Sequence, residues 1–138
     1  MKSSSRAMLV GLCVLALGGC SSAPLYCEDG RPVRWFSNPL TDALENGIKR
    51  YEDGNYAASI PLLQGVVESP NASNSLKLEA YKYLAFSYCL SPKDEKKMCR
   101  ESFKKAIEIE PKFELLPAEA GHPVWGPVFK SVKNKPAK

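Results

Sequence analysis

Two kinds of apolar pattern divide the chain. Ala7 to Leu17 is an unbroken apolar run of eleven residues, too short to cross a bilayer as a helix, which takes about 20. Beyond Pro39 the apolar positions recur at helical spacing. Leu40, Ala43, Leu44, Gly47, Ile48 and Tyr51 follow the i, i+3, i+4, i+7 rule and predict a helix beginning near Thr41 and broken at Gly54-Asn55. A second helix is predicted from Tyr56 to Glu68, with Ile60, Leu63, Val66 and Val67 inward and Pro61 near its first turn. A third, Asn74 to Leu90, is apolar on two faces: Tyr81, Leu84, Ala85 and Tyr88 on one, Tyr83 and Phe86 on the other. Such a helix belongs between neighbours. After Ser91-Pro92-Lys93-Asp94 a fourth runs to about Glu110, with Cys99, Phe103, Ala106 and Ile107 inward and Pro111 as its stop.

These four helices make two hairpins that repeat each other. Ala43, Gly47 and Tyr51 recur as Ala80, Leu84 and Tyr88, 37 residues on; Ser59, Leu63 and Val66 recur as Cys99, Phe103 and Ala106, 40 residues on. The second unit thus has three extra residues between its helices. The pattern resembles the tetratricopeptide repeat, in which small and aromatic residues let paired helices approach and a Pro closes each unit. The first unit has Ala43, Gly47, Tyr51, Gly54, Tyr56 and Pro70; the second has Ala80, Tyr88, Phe103, Ala106 and Pro111. Asn46 and Arg50 depart from the bulky apolar preference, and the second unit lacks a Gly-x-Tyr turn. A short array needs a cap over its last apolar face, and a final helix from Pro123 to Val132, with Trp125, Val128 and Phe129 inward, fits that need. The fold expected is all-α: two tetratricopeptide-like helical hairpins plus a short C-terminal capping helix, preceded by a signal peptide and tether.

The early apolar run reads as that signal. Lys2 and Arg6 precede it, and Leu17-Gly18-Gly19-Cys20 follows the bacterial lipobox, in which Cys20 is acylated. Several acyl chains on one residue anchor a protein far more firmly than one. Ser21, not Asp, follows the cysteine, which implies the periplasmic face of an outer membrane. The expected division is signal peptide 1–19, lipidated tether 20–39, helical domain 40–132 and basic tail 133–138. Pro24, Gly30, Pro32 and Pro39 suit an extended tether, with Trp35 and Phe36 packing onto the domain.

Charge and chemistry narrow the function. Loss of Lys2 and Arg6 takes the net charge from +4 to +2, and no basic block precedes Pro117, so no nucleic-acid footprint is present. In an oxidising compartment Cys27, Cys89 and Cys99 remain for pairing. Cys89 and Cys99 share the helical region while Cys27 lies in the tether, which favours Cys89 with Cys99; a bridge to Cys27 is the alternative. The single histidine, His122, sits in Gly121-His122-Pro123 without metal-ligand companions and reads as a turn residue. No catalytic motif is present, so neither an enzyme nor a metal, cofactor or small-molecule substrate is expected. Surface is what remains. In tetratricopeptide arrays the first helix of each pair lines a groove for a protein partner, which here maps to Asp42, Leu44, Ile48, Tyr51, Tyr81, Ala85 and Tyr88, with groove and core as equal alternatives for the tyrosines.

Two stretches carry a closer resemblance. Tyr81-Lys82-Tyr83-Leu84-Ala85-Phe86-Ser87-Tyr88-Cys89 with Cys99-Arg100, and Phe113-Glu114-Leu115 with the run from Pro117 through His122 and Trp125 to Lys130, resemble the TssQ family, repeat-containing lipoproteins associated with type VI secretion systems. The resemblance implies an accessory role, binding or supporting a component of the secretion machine from the membrane. A repeat lipoprotein assisting outer-membrane or cell-envelope assembly is the alternative.

Overall fold

A computed structural model describes residues 38–134 apart from 94; Cys20, Cys27, Trp35, Phe36 and the end of the basic tail lie outside these. Among the described residues six helices follow in order: α1 (Pro39–Glu52), α2 (Tyr56–Glu68), α3 (Asn74–Leu90), α4 (Lys96–Ile109), α5 (Pro117–Ala120) and α6 (Trp125–Lys133). The fold is all-α, with no strand among the described residues.

Local chemistry sets most boundaries. Asn38, not Thr41, opens α1: its Oδ1 accepts the Leu40 amide at 3.0 Å, and Pro39 follows where a missing N–H costs nothing. Asp42 in the first turn and Lys49 and Arg50 in the last complement the helix dipole. Gly54 has φ 74°, a left-handed turn that an L side chain resists, and Asn55 caps α2 through the Ala58 amide at 3.2 Å. Ser73 caps α3 in the same way. Pro61 lies in the second turn of α2, deeper than the sequence suggested. The helix continues because Pro61 and Ala57, whose carbonyl loses a donor, both face water. The segment after Pro111 is more broken than a single final helix: α5 is one turn, and α6 begins at Trp125 rather than Pro123.

The helices pack in two layers. Helices α1, α3 and α6 lie side by side, while α2 sits against α1 and α3, and α4 against α3 and α6. Ser59, Leu63 and Val66 on α2 and Cys99, Phe103 and Ala106 on α4 are all buried, so both second helices turn the repeated positions inward. Phe86, Phe103, Leu63 and Val66 are the largest fully buried side chains; each contributes roughly 1.5–3 kcal/mol by leaving water. Helix α3 is the middle element, with Leu84 to Tyr88 buried without interruption.

Close approach of α1 and α2 depends on Gly47. A Cβ there would lie 2.6 Å from Leu63 Cδ2, which is enclosed on all sides. At the same crossing Ser59 Oγ donates to the Gly47 carbonyl at 2.8 Å and lies 3.2 Å from Ser87 Oγ, so the buried hydroxyls are satisfied. In the second hairpin Cys89 and Cys99 are joined by a disulfide across Cα atoms 5.2 Å apart.

Candidate functional site

One chain of aromatic rings links the layer of α1, α3 and α6 to the core. Tyr51, near the end of α1, is its hub: its ring centroid lies 5.9 Å from Tyr56, 5.3 Å from Tyr83, 5.9 Å from Phe86 and 6.5 Å from Trp125. Phe86 stacks on Trp125 at 4.4 Å and meets Phe103 edge-on at 6.0 Å. Phe103 continues to Phe129, and Phe129 to Phe113. Offset and edge-to-face pairs of this kind each contribute about 0.5–1.5 kcal/mol beyond simple burial. The inner rings are buried, whereas Tyr51, Tyr56, Tyr83 and His122 are only half-buried.

The segment from α5 into α6 builds one wall of this surface. Glu119 reaches back to the Leu116 amide at 3.0 Å, steadying the single turn of α5, and Trp125 Nε1 donates to the Glu119 carbonyl at 2.9 Å. Leu116 has no side-chain acceptor, so that cap is one-sided. Gly126 permits the tight return, since a Cβ there would lie 2.5 Å from the Ala120 carbonyl oxygen. His122 is half-buried, accepts the Val124 amide on Nδ1 at 3.2 Å and stacks on Trp125. At the other end of α6, Lys133 donates to the Phe113 carbonyl at 3.0 Å and pairs with Glu114.

Charge around the tyrosines is mostly negative. Lys82 Nζ pairs with Glu119 at 3.0 Å and lies 4.7 Å from the centre of the Tyr83 ring. Burial pushes the Tyr51 hydroxyl up to about 12 from 10.0, reinforced by Tyr56, Tyr83, Glu119 and Glu52. Burial likewise raises Tyr83; Lys82 opposes the shift, while Glu119, Glu79 and Glu52 add to it. In each case the cost is that of placing a phenolate among apolar rings and carboxylates.

The residues expected to line a groove separate. Leu44, Ala85 and Tyr88 are interior, at 4%, 0% and 5% exposure, and supply no surface. Tyr88 faces α2, where its hydroxyl accepts from Gln64 Nε2 at 2.8 Å. Tyr81 is half-buried on the side of α3 where Lys105 of α4 senses it. Asp42, Ile48 and Tyr51 remain partly exposed on α1. The aromatic partners of Tyr51 on α3 are therefore Tyr83 and Phe86, from the stripe opposite Tyr81 and Tyr88. No signal in the sequence separates the two stripes, since Lys82 adjoins Tyr81 and Tyr83 alike.

Compared with protein-family models, curated proteins and solved structures, the chain matches none. Among the described residues no group of three potential ligands is placed to hold a metal, and no helix is long and apolar enough to cross a membrane.

Proposed function

We propose that the chain is a lipid-anchored interaction module, held at the periplasmic face of an outer membrane through Cys20, that supports a protein component of a type VI secretion system. The observation that carries the interaction reading is the convergence of half-buried Tyr51, Tyr56 and Tyr83 on one face, backed by Trp125. Tyrosines held this way offer large contact area with little side-chain freedom left to lose on binding, as protein interfaces favour. The lipobox ending at Cys20 and the resemblance of residues 81–89 and 117–130 to the TssQ family support the location and the machine. The resembling segment 117–130 contributes Glu119, His122 and Trp125 to this surface. No catalytic role is proposed.

The test is crosslinking and affinity capture from envelopes of cells carrying a type VI apparatus. Capture of a named secretion component by the lipidated chain, lost in Tyr51→Ala/Tyr83→Ala but kept in Tyr81→Ala, is the expected result. Capture unaffected by the first pair moves the interface elsewhere. Release of the chain into the soluble fraction by Cys20→Ser is expected; a wild-type chain already soluble ends the anchoring reading.

A further inference from the structure

The tyrosine face is flanked by exposed carboxylates that no lysine or arginine holds among the described residues. Among the described residues, no hydrogen bond reaches the hydroxyl of Tyr51 or Tyr83, and neither Glu52 nor Glu79 pairs with a cation. Glu52 and Glu119 act on both phenols, and Glu79 on Tyr83. Lys49 and Arg50 are exposed in the last turn of α1, whereas Lys82 is held by Glu119 and its ammonium rests over the Tyr83 ring with only 16% of its side chain exposed. The fold itself therefore seats one cation between an aromatic face and a carboxylate here. Beside it Tyr51 and Tyr56 are half-buried, their rings tilted 49° to each other.

We infer that this face receives a basic protein segment, an arginine- or lysine-bearing stretch that lays its cations over Tyr51, Tyr56 and Tyr83 and pairs them with Glu52 and Glu79. Charge complementarity selects this occupant. An acidic segment would meet two unpaired carboxylates, and a purely apolar one would bury them without partners, which is costly. A guanidinium over an aromatic ring gains from the ring quadrupole, and more so when partly desolvated. The inference rests on reading this face as a protein-docking surface, and it adds the chemistry of the partner.

The experiment uses the full chain in a mild non-ionic detergent with a fluorescently labelled nona-arginine peptide as probe and nona-glutamate as counter-probe. Saturable nona-arginine binding is expected, weakening with added salt as screening grows. Glu52→Gln/Glu79→Gln is expected to reduce affinity by about tenfold or more, the scale of one lost charged contact. Glu101→Gln/Glu108→Gln removes the same charge from lysine-paired sites on α4 and is expected to leave affinity within about twofold. Equal losses in both pairs would reduce the effect to general attraction and overturn the inference, as would comparable binding of nona-glutamate. Tyr51→Leu/Tyr83→Leu tests the rings; because it also touches packing, titration of the wild-type chain by heteronuclear NMR accompanies it. Shifts centred on residues 51–56, 79–83 and the Trp125 indole are expected, and shifts confined to other residues overturn the site. Capture of a secretion component unaffected by Glu52→Gln/Glu79→Gln removes the basic-segment inference and leaves the proposed function standing. Failed capture with intact, site-specific peptide binding does the reverse.

Discussion

His122 lies flat on Trp125, with ring centroids 3.3 Å apart and planes inclined by 1°. Its Nδ1 accepts the Val124 amide, so in the neutral ring the proton resides on Nε2. Through Trp125 the imidazole is coupled to Phe86 and Tyr51, and so to the middle of the fold. His122→Ala is expected to destabilise the chain by about 1 kcal/mol, the scale of an aromatic pair, which lowers Tm by roughly 4–8 °C for a domain of this size. Thermal unfolding followed by circular dichroism measures it, and an unchanged Tm would show the stack to be incidental.

Gly47 and Gly65 offer opposite outcomes for one substitution. Gly47→Ala drives a methyl against enclosed Leu63, and overpacking of this kind costs about 1–3 kcal/mol. Gly65→Ala in α2 meets nothing within 4 Å, so the better helix propensity of Ala is expected to stabilise by up to about 1 kcal/mol. Urea midpoints of the two variants should move in opposite directions; a shared direction contradicts the packing at the α1–α2 crossing.

Reduction of the bond between Cys89 and Cys99 opens a loop spanning 10 residues. Chain-entropy reasoning assigns such a loop about 2–3 kcal/mol. A lower urea midpoint under reductant is expected, and Cys89→Ala/Cys99→Ala should be insensitive to reductant. Thiol labelling of two cysteines in this hairpin, in non-reduced protein from the envelope, would dispose of the bridge.

Tyr51 gives the folded chain an alkaline limit. Its pKa is raised from 10.0 to about 12, so the folded state prefers the neutral phenol more strongly than the unfolded state does. That stabilisation is fully present below pH 10 and is lost as pH rises toward and through 12. Tyr51→Phe keeps the ring and removes the titration, so its urea midpoint should fall less over this interval. The difference titration at 295 nm, wild type minus variant, should show an inflection well above pH 10. Parallel declines in both proteins would mean that Tyr51 is not in the neutral, carboxylate-flanked setting described.

The spacing of apolar residues along the chain was enough to determine the all-helical fold, the span of α2 and α3 and the inward positions Leu63, Val66, Phe103 and Ala106, because these follow from a helical period and local turn chemistry. The start of α1 differs by a few residues because Asn38 competes with Thr41 as a cap, and Asn38 prevails by accepting the Leu40 amide with Pro39 in the first helical position. Which stripe of α3 meets α1 was beyond the sequence. Tyr81 and Tyr83 lie on different sides of one helix, both bounded by apolar neighbours, and periodicity is blind to the direction from which α1, α2, α4 and α6 approach. Tertiary packing decided it: α2 and α4 enclose Ala85 and Tyr88, while α1 and α6 leave Tyr51, Tyr83 and His122 at the water's edge. A helix fixes which side chains share a face, but the neighbours it packs against fix which face remains for a partner.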